Sequence, residues 1–420
     1  MSNMSVSQIT LLPQVRSLLS GEHLSRRILF RVLENMSVGS LIIHDGTETF
    51  RFGNANDPAQ PHAEVNIHSP RAYMKVLMGG TIASGEAYID GDWSSPDLTA
   101  VTRVFSANMA TMETMQSRQH WYTKLGLKLA HYMNRNTASG SRKNISAHYD
   151  LGNNFFNLFL DPTMMYSAAI FQDRSATLEE ASIAKLDEIC QQLELSPGDH
   201  LLEIGTGWGG MAIHAASRYG CKVTTTTISR EQYEYAREKV AELGLTDQIN
   251  VICEDYRDLT GSYDKLVSIE MIEAVGHEFY DSYFTKCSEL LKPTGKMVIQ
   301  AITMTDQRYE DAKNRVDFIK RYIFPGGCLP SMSIIAKHVA SNTDMQIVHL
   351  RDITQDYAIT LATWRERFLD QLEAVRAQGF DDRFIRMWEF YLSYCEGGFR
   401  ERIIGTVQLA FAKPAYRAAS

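Results

Sequence analysis

The sequence predicts an α/β protein in which a smaller α+β domain precedes a doubly wound, mostly parallel sheet of seven strands. Three observations carry that prediction. From about residue 199 onward, apolar runs of strand length alternate with amphipathic stretches of helix length, as they do where parallel strands are joined by crossover helices. One of those runs, "DHLLEIGTGWGGM", breaks into four glycines (Gly205, Gly207, Gly209 and Gly210) where a helix should begin. Before residue 100 the pattern is different: short alternating segments sit beside Asp-Gly dipeptides, a hairpin signal.

The elements follow in chain order. A chain of 420 residues, 44% hydrophobic and 22% charged, can bury two sizeable cores, and this composition excludes collagen-like, disulfide-dense and disordered classes. Residues 1–132 form the first domain. Its helices are expected at "HLSRRILFRVLENM" and "DLTAVTRVFSANMATMETM", and a hairpin at "VGSLIIHDGTETFRFGN" turns around His44-Asp45-Gly46. "GTIASGEAYIDGDW" reads as a second segment of the same β type. The polar, basic stretch "MNRNTASGSRKN", residues 133–144, is expected to be a linker. Residues 145–420 then supply strands at "HLLEIG", "CKVTTTTI", "INVICED", "YDKLVSIEMI" and "GKMVIQAITM", with "IVHLRDI" and "GTVQLAFAKP" as later ones. Two late helical segments, "YAITLATWRERFLDQLEAVRAQG" and "DRFIRMWEFYLSYCEGGFRER", are rich in aromatics and are expected to wall one side of a site.

Several function classes drop out. The six cysteines have no CxxC spacing and the twelve histidines no HExxH, so neither a metal site nor a disulfide framework is expected. A net charge of −8 argues against nucleic acid as a partner. No apolar run reaches the length of a signal peptide or spanning helix, so residence in the cytoplasm is expected. Charge is unevenly spread, however. Between Thr114 and Tyr149 there is no acidic residue, while Arg118, Lys124, Lys128, Arg135, Arg142 and Lys143 are present, with Trp121, Leu125, Leu129 and Tyr132 at helical spacing. Such a segment fits either a helix lying on an anionic membrane surface or an interdomain helix with a solvated basic face.

Glycines after the first strand of an open α/β sheet bring the backbone close to a ligand at the strands' C-terminal ends. Gly205 and Gly207 leave no side chain between loop and ligand, and Gly209 lets the next helix start near the strand. Glu203 at the strand's end would repel a pyrophosphate but suits the amino and sulfonium groups of S-adenosylmethionine. Thr227, Ser229 and Gln232 after the second strand can bond ribose hydroxyls, and Asp255 after the third can accept from the adenine amino group. Glu270 and Glu273 follow the fourth strand, at the rim where this fold keeps its chemistry.

With these residues in place, the chain resembles the cyclopropane fatty acid synthase family, S-adenosylmethionine-dependent enzymes that modify unsaturated acyl chains of membrane phospholipids. The resemblance runs from about residue 70 onward and rests on "GGTIASGEAYIDGDW", "ISAHYDLGNNFFNLFLDPTMMYSAAIF", "LLEIGTGWGG", "TTTTISREQ", "SIEMIEAVGHEFYDSYF", "YIFPGGCLP" and "SYCEGGFRER". It implies a methyltransferase-type sheet, a phospholipid partner, peripheral attachment to the inner face of the cell membrane and a homodimer. It further implies that Tyr166 and Ser167 touch the cofactor and that His148 and Tyr149 close over it. A bicarbonate held by Glu273, Tyr357 and the backbone of Ile302 is implied as base, because closing a cyclopropane ring requires a proton to leave the transferred methyl. The chain departs from many members twice: Ala168 stands in place of cysteine and Gln300 in place of histidine. Without an effective base the same scaffold would yield a methyl-branched chain; without cofactor binding it would be a lipid-binding relative. Cys395 matches a family cysteine that is a candidate nucleophile, though methyl transfer to an alkene needs no thiol intermediate.

Overall fold

The computed structural model describes residues 21–109 and 151–417, and the chain divides into two compact units, Met1–Thr123 and Lys124–Ser420. The basic segment, the linker at 133–144, His148 and Tyr149 lie outside the described residues.

In the first unit, helix α1 (Gly21–Leu33) is followed by strands β1 (Ser40–Asp45), β2 (Glu48–Gly53) and β3 (His62–Ile67), helix α2 (Arg71–Ile89), β4 (Trp93–Ser94) and helix α3 (Leu98–Ala107). The sheet order is β2-β1-β3-β4. The Asp-Gly hairpin forms as expected, with Asp45 opposite Glu48 in an antiparallel pair. Phe30 of α1 packs on Phe50, Phe52 and Tyr73. Asp97 caps α3 by accepting from the Ala100 N–H at 2.9 Å.

One expectation is overturned here. "GTIASGEAYIDGDW" is the second half of α2, not a β segment: helix runs to Ile89 past a kink at Gly80. Small residues let this half bury Ala83, Ala87 and Tyr88. The dipeptide Asp90-Gly91 is the helix terminus, where Gly91 adopts φ 78° and its N–H bonds Tyr88 O.

The second unit holds seven strands: β5 (His200–Ile204), β6 (Lys222–Thr226), β7 (Ile249–Ile252), β8 (Tyr263–Ile269), β9 (Leu291–Met304), β10 (Gln346–Asp352) and β11 (Ile404–Ala412). Their order is β10-β11-β9-β8-β5-β6-β7. All neighbours from β9 to β7 run parallel, and β11 inserts antiparallel between β9 and β10. Every strand expected in this unit is present.

Period-two alternation serves two cores. Leu201, Val267 and Val298 pack toward Leu186, Ile189 and Leu193 of helix α4 (Leu178–Leu193). Leu202, Leu266 and Met297 pack toward Tyr280, Tyr283 and Phe284 of the helix Tyr280–Leu290. The chain order reverses between adjacent strands β5 and β8, which places the crevice for a ligand directly at the glycine loop.

Candidate functional site

Two corners meet at that switch point. The first is the loop after β5. Gly205 and Gly207 adopt φ 104° and 51°, and the Gly205 and Thr206 N–H groups both donate to Thr226 O at 3.0 Å. A Cβ added at Gly207 would meet nothing within 4 Å, so the loop faces open space where a ligand can lie on its backbone. Gly209 begins the short helix Gly210–His214. The tight approach here is to the preceding segment: a Cβ at Gly210 would lie 2.5 Å from Thr163 O.

Glu203 does not present an acid to that space, contrary to expectation. It is only 2% exposed and accepts from Thr225 Oγ1 at 2.6 Å, while Thr225 also shares a 2.7 Å bond with Thr206. Burial pushes its carboxyl up to about 8. Thr227, Ser229 and Gln232 are brought together, but largely onto one another. Thr227 Oγ1 donates to Gln232 Oε1 at 2.9 Å, and Ser229 caps the following helix by accepting from the Gln232 N–H at 3.3 Å. Asp255 is likewise engaged, gripping Arg257 through Nε at 2.8 Å and Nη2 at 2.7 Å. It also caps the turn Tyr256–Asp258 by accepting from the Arg257 N–H at 3.1 Å.

The second corner follows β8. Glu270 adopts φ 48°, a left-handed conformation that a residue with a side chain takes only at a cost of order 1–3 kcal/mol and that concentrates at functional sites. Its Oε1 accepts from the Ala168 N–H at 2.8 Å and from Gln300 Nε2 at 2.8 Å; its Oε2 accepts from Tyr357 Oη at 2.8 Å. Gln300 also donates to Ala168 O and accepts from Gln408. Glu273 Oε1 accepts from the Ile302 N–H. Its Oε2 is buried with no hydrogen-bond partner among the described residues. Burial first, and the Glu270 charge second, push Glu273 up to about 8; burial raises Glu270 as well, against the pull of its three donors and of the Lys185 charge.

The expected bicarbonate does not fit this arrangement. Tyr357 and the Ile302 N–H, two of its three expected holders, both donate to carboxylates of the chain, so neither has a hydrogen left for a bound anion.

Around both corners stand aromatics. Tyr166 stacks on Trp364 with centroids 5.2 Å apart and shares a 2.8 Å hydrogen bond with Tyr391. Tyr357 stacks on Phe399 at 4.6 Å. Trp364 and Tyr357 come from the helix Thr354–Asp370, and Tyr391 and Phe399 from the helix Asp382–Arg400, so the expected aromatic wall is present. Aromatic faces favour a cation. Cys395 lies on the same wall, and burial pushes its thiol well above the usual range, which favours the neutral form over the thiolate.

Sequence reasoning missed Lys185. Its Nζ is fully buried and donates to Ser167 Oγ at 2.9 Å. Burial lowers it to about 8 while Glu270, Asp161 and Glu203 oppose that shift. The signal was available: Lys185 sits on the buried stripe of α4, between Ala181 and Ile189.

Comparison with known proteins gives a consistent picture. A family model described as mycolic acid cyclopropane synthetase matches residues 136–409. Over 393 residues the chain is 37% identical to the tuberculostearic acid methyltransferase UfaA1 of Mycobacterium tuberculosis, spanning 92% of this chain and 90% of that protein. It is 36% identical over 366 residues to the cyclopropane-fatty-acyl-phospholipid synthase of Escherichia coli K12, spanning 86% and 91%. Among solved structures, the mycolic acid cyclopropane synthase CmaA1 complexed with SAH and CTAB matches with a TM-score of 0.61 and 31% identity, over 65% of this chain and 98% of that one.

Proposed function

The chain belongs to the mycolic acid cyclopropane synthetase family and is an S-adenosylmethionine-dependent methyltransferase acting on lipids, and from that premise we propose that it methylates the cis double bond of an unsaturated phospholipid acyl chain and closes a cyclopropane ring. S-adenosylmethionine, when bound, supplies an electrophilic methyl group. The open backbone at Gly205 and Gly207 fits it, and Tyr166 and Ser167 would hold it from the other side. Lys185 fixes the Ser167 hydroxyl, and the stacked Tyr166 and Trp364 present π faces to positive charge.

The observation that carries the ring-forming reading is the acid pair after β8. An alkene that attacks a methyl group becomes a carbocation, and ring closure then needs a nearby base. Glu270 and Glu273 place two buried carboxyls, both shifted upward by burial, at the strand ends within an aromatic enclosure. A second reading, transfer ending in a methyl branch, is favoured by likeness to the tuberculostearic acid methyltransferase. In either case the enzyme works at a membrane surface. Among the described residues no helix is long and apolar enough to cross a membrane, and the acid-free segment from Thr114 to Tyr149 suits anionic headgroups.

The test is incubation of purified protein with unsaturated phospholipid vesicles and S-adenosylmethionine carrying a fully deuterated methyl, followed by mass and NMR analysis of the acyl chains. A ring retaining two deuteriums is expected. Three deuteriums in a methyl branch would replace this reading with the second, and unlabelled lipid would sink both.

A further inference from the structure

We propose that Glu270 is the base of the reaction, a carboxylate built into the chain that takes the proton a bound bicarbonate was expected to take. This rests on the ring-forming reading above and names the group that completes it.

Three observations point to Glu270. First, its donors converge from three separate parts of the chain. The Ala168 N–H follows directly on Tyr166 and Ser167, the Gln300 amide comes from mid-β9, and the Tyr357 hydroxyl comes from the aromatic wall. Together they form a socket for a planar, negatively charged, three-atom group, and Glu270 fills it. Both positions at which the sequence departs from the resembled pattern, Ala168 and Gln300, belong to this socket.

Second, the socket leaves room for a proton. Of about four lone-pair positions on a carboxylate, Oε1 uses two on Ala168 and Gln300, whereas Oε2 uses one on Tyr357. A lone pair on Oε2 remains without a donor among the described residues.

Third, the backbone is strained to put it there. Glu270 adopts φ 48° at the very end of β8, with its N–H bonded to Gln300 O at 2.7 Å, and such strain persists only where surrounding contacts enforce it. Glu273 meanwhile has a single donor, the Ile302 N–H, so burial leaves its charged form poorly supported and favours the form that already carries a proton.

The step balances without any further reactant. The C–H bond of the transferred methyl breaks and its proton goes to Glu270 Oε2. The electron pair left behind forms the carbon–carbon bond to the cationic carbon, which closes the ring and discharges the cation. Glu270 then returns the proton to water as product leaves.

The experiment uses full-length protein in buffer stripped of dissolved carbon dioxide, with unsaturated phospholipid vesicles and deuterated-methyl S-adenosylmethionine. The wild-type rate of ring formation is expected to be unchanged by added bicarbonate. Glu270→Ala empties the socket but leaves its donors, so ring formation should fall about 10²- to 10⁴-fold and recover at least ~10-fold with bicarbonate or formate. A readout independent of turnover accompanies it: the resonance of carbon-13 bicarbonate should broaden with Glu270→Ala and not with wild type. Calorimetric binding of S-adenosylmethionine reports whether the variant is folded. Should it not be, Glu270→Gln keeps the shape, cannot take the proton, and is expected to lose ring formation without rescue. A wild-type rate that requires bicarbonate, or a variant within about threefold of wild type, would overturn the proposal while leaving the lipid reaction intact. No labelled lipid from wild type under any condition would overturn the lipid reaction, and this proposal with it.

Discussion

The loop after β5 and the corner after β8 lie on neighbouring strands, yet they are built in opposite ways. The loop is made of backbone: its shape comes from glycines at positive φ and from N–H bonds to Thr226 O. The corner is made of side chains, and its central carboxylate is held by residues 30, 87 and 102 positions away in the chain. A site of backbone is written locally and can be read locally; a site of side chains exists only after the sheet and its covering helices have formed.

The largest expected effect breaks the loop and leaves the corner alone. Gly205 sits at φ 104°, and a Cβ there would come 3.3 Å from Met271 Cγ. Gly205→Val should cost roughly 1–3 kcal/mol in backbone strain and lower S-adenosylmethionine affinity about 100-fold by calorimetry, a loss of about 2.7 kcal/mol. Unchanged affinity in a folded variant would mean that the cofactor does not lie on this loop.

The next effect belongs to the corner and should leave cofactor affinity nearly untouched. Burial raises the pKa of Glu270, while the Ala168 N–H, the Gln300 amide, the Tyr357 hydroxyl and the Lys185 charge favour its charged form. Removing the hydroxyl in Tyr357→Phe loses a hydrogen bond to a charged group, worth about 1.5–3 kcal/mol. The acid limb of the pH–rate profile should therefore move upward by about one to two pH units, with kcat falling and KM for S-adenosylmethionine unchanged. An acid limb that stays in place would show that Glu270 is not the titrating group.

The same contrast explains what the sequence made legible. Six of the seven strands of the second unit follow from hydrophobic period and length because largely buried strands cannot hide their apolar runs, whereas β10 is an exposed edge strand legible only through Ile347, Val348 and Leu350. Asp90-Gly91 misled because the dipeptide serves a helix terminus as well as a hairpin, and only the small residues before it tell which. Glu203 lies near the end of β5, Asp255 follows β7 and Gln232 lies in the first turn of the helix after β6, and each has part of its hydrogen-bonding capacity used by a neighbour: Thr225, Arg257 and Thr227. Periodicity locates a side chain on a strand or helix, but it does not show which distant donor will reach it.

Glu203 supplies the smallest effect and tests whether the support beneath the loop is neutral. Its pKa is raised by burial from 4.5 to about 8, against the opposing pull of the Thr225 hydroxyl and the Lys185 charge. A group raised in this way contributes stability that is fully present below its unfolded value and is lost as pH rises through the folded one. Between about pH 4.5 and pH 8 the wild-type protein should thus lose stability through Glu203, whereas Glu203→Gln, which keeps an acceptor for Thr225, has no proton to lose. Denaturant unfolding at about pH 5.5 and about pH 8 should show the variant gaining on wild type as pH rises, with cofactor affinity little changed because the side chain is only 2% exposed. A difference between the two proteins that stays constant with pH would mean that Glu203 is ionised against Lys185 throughout, and that the loop, like the corner after β8, rests on a buried charge.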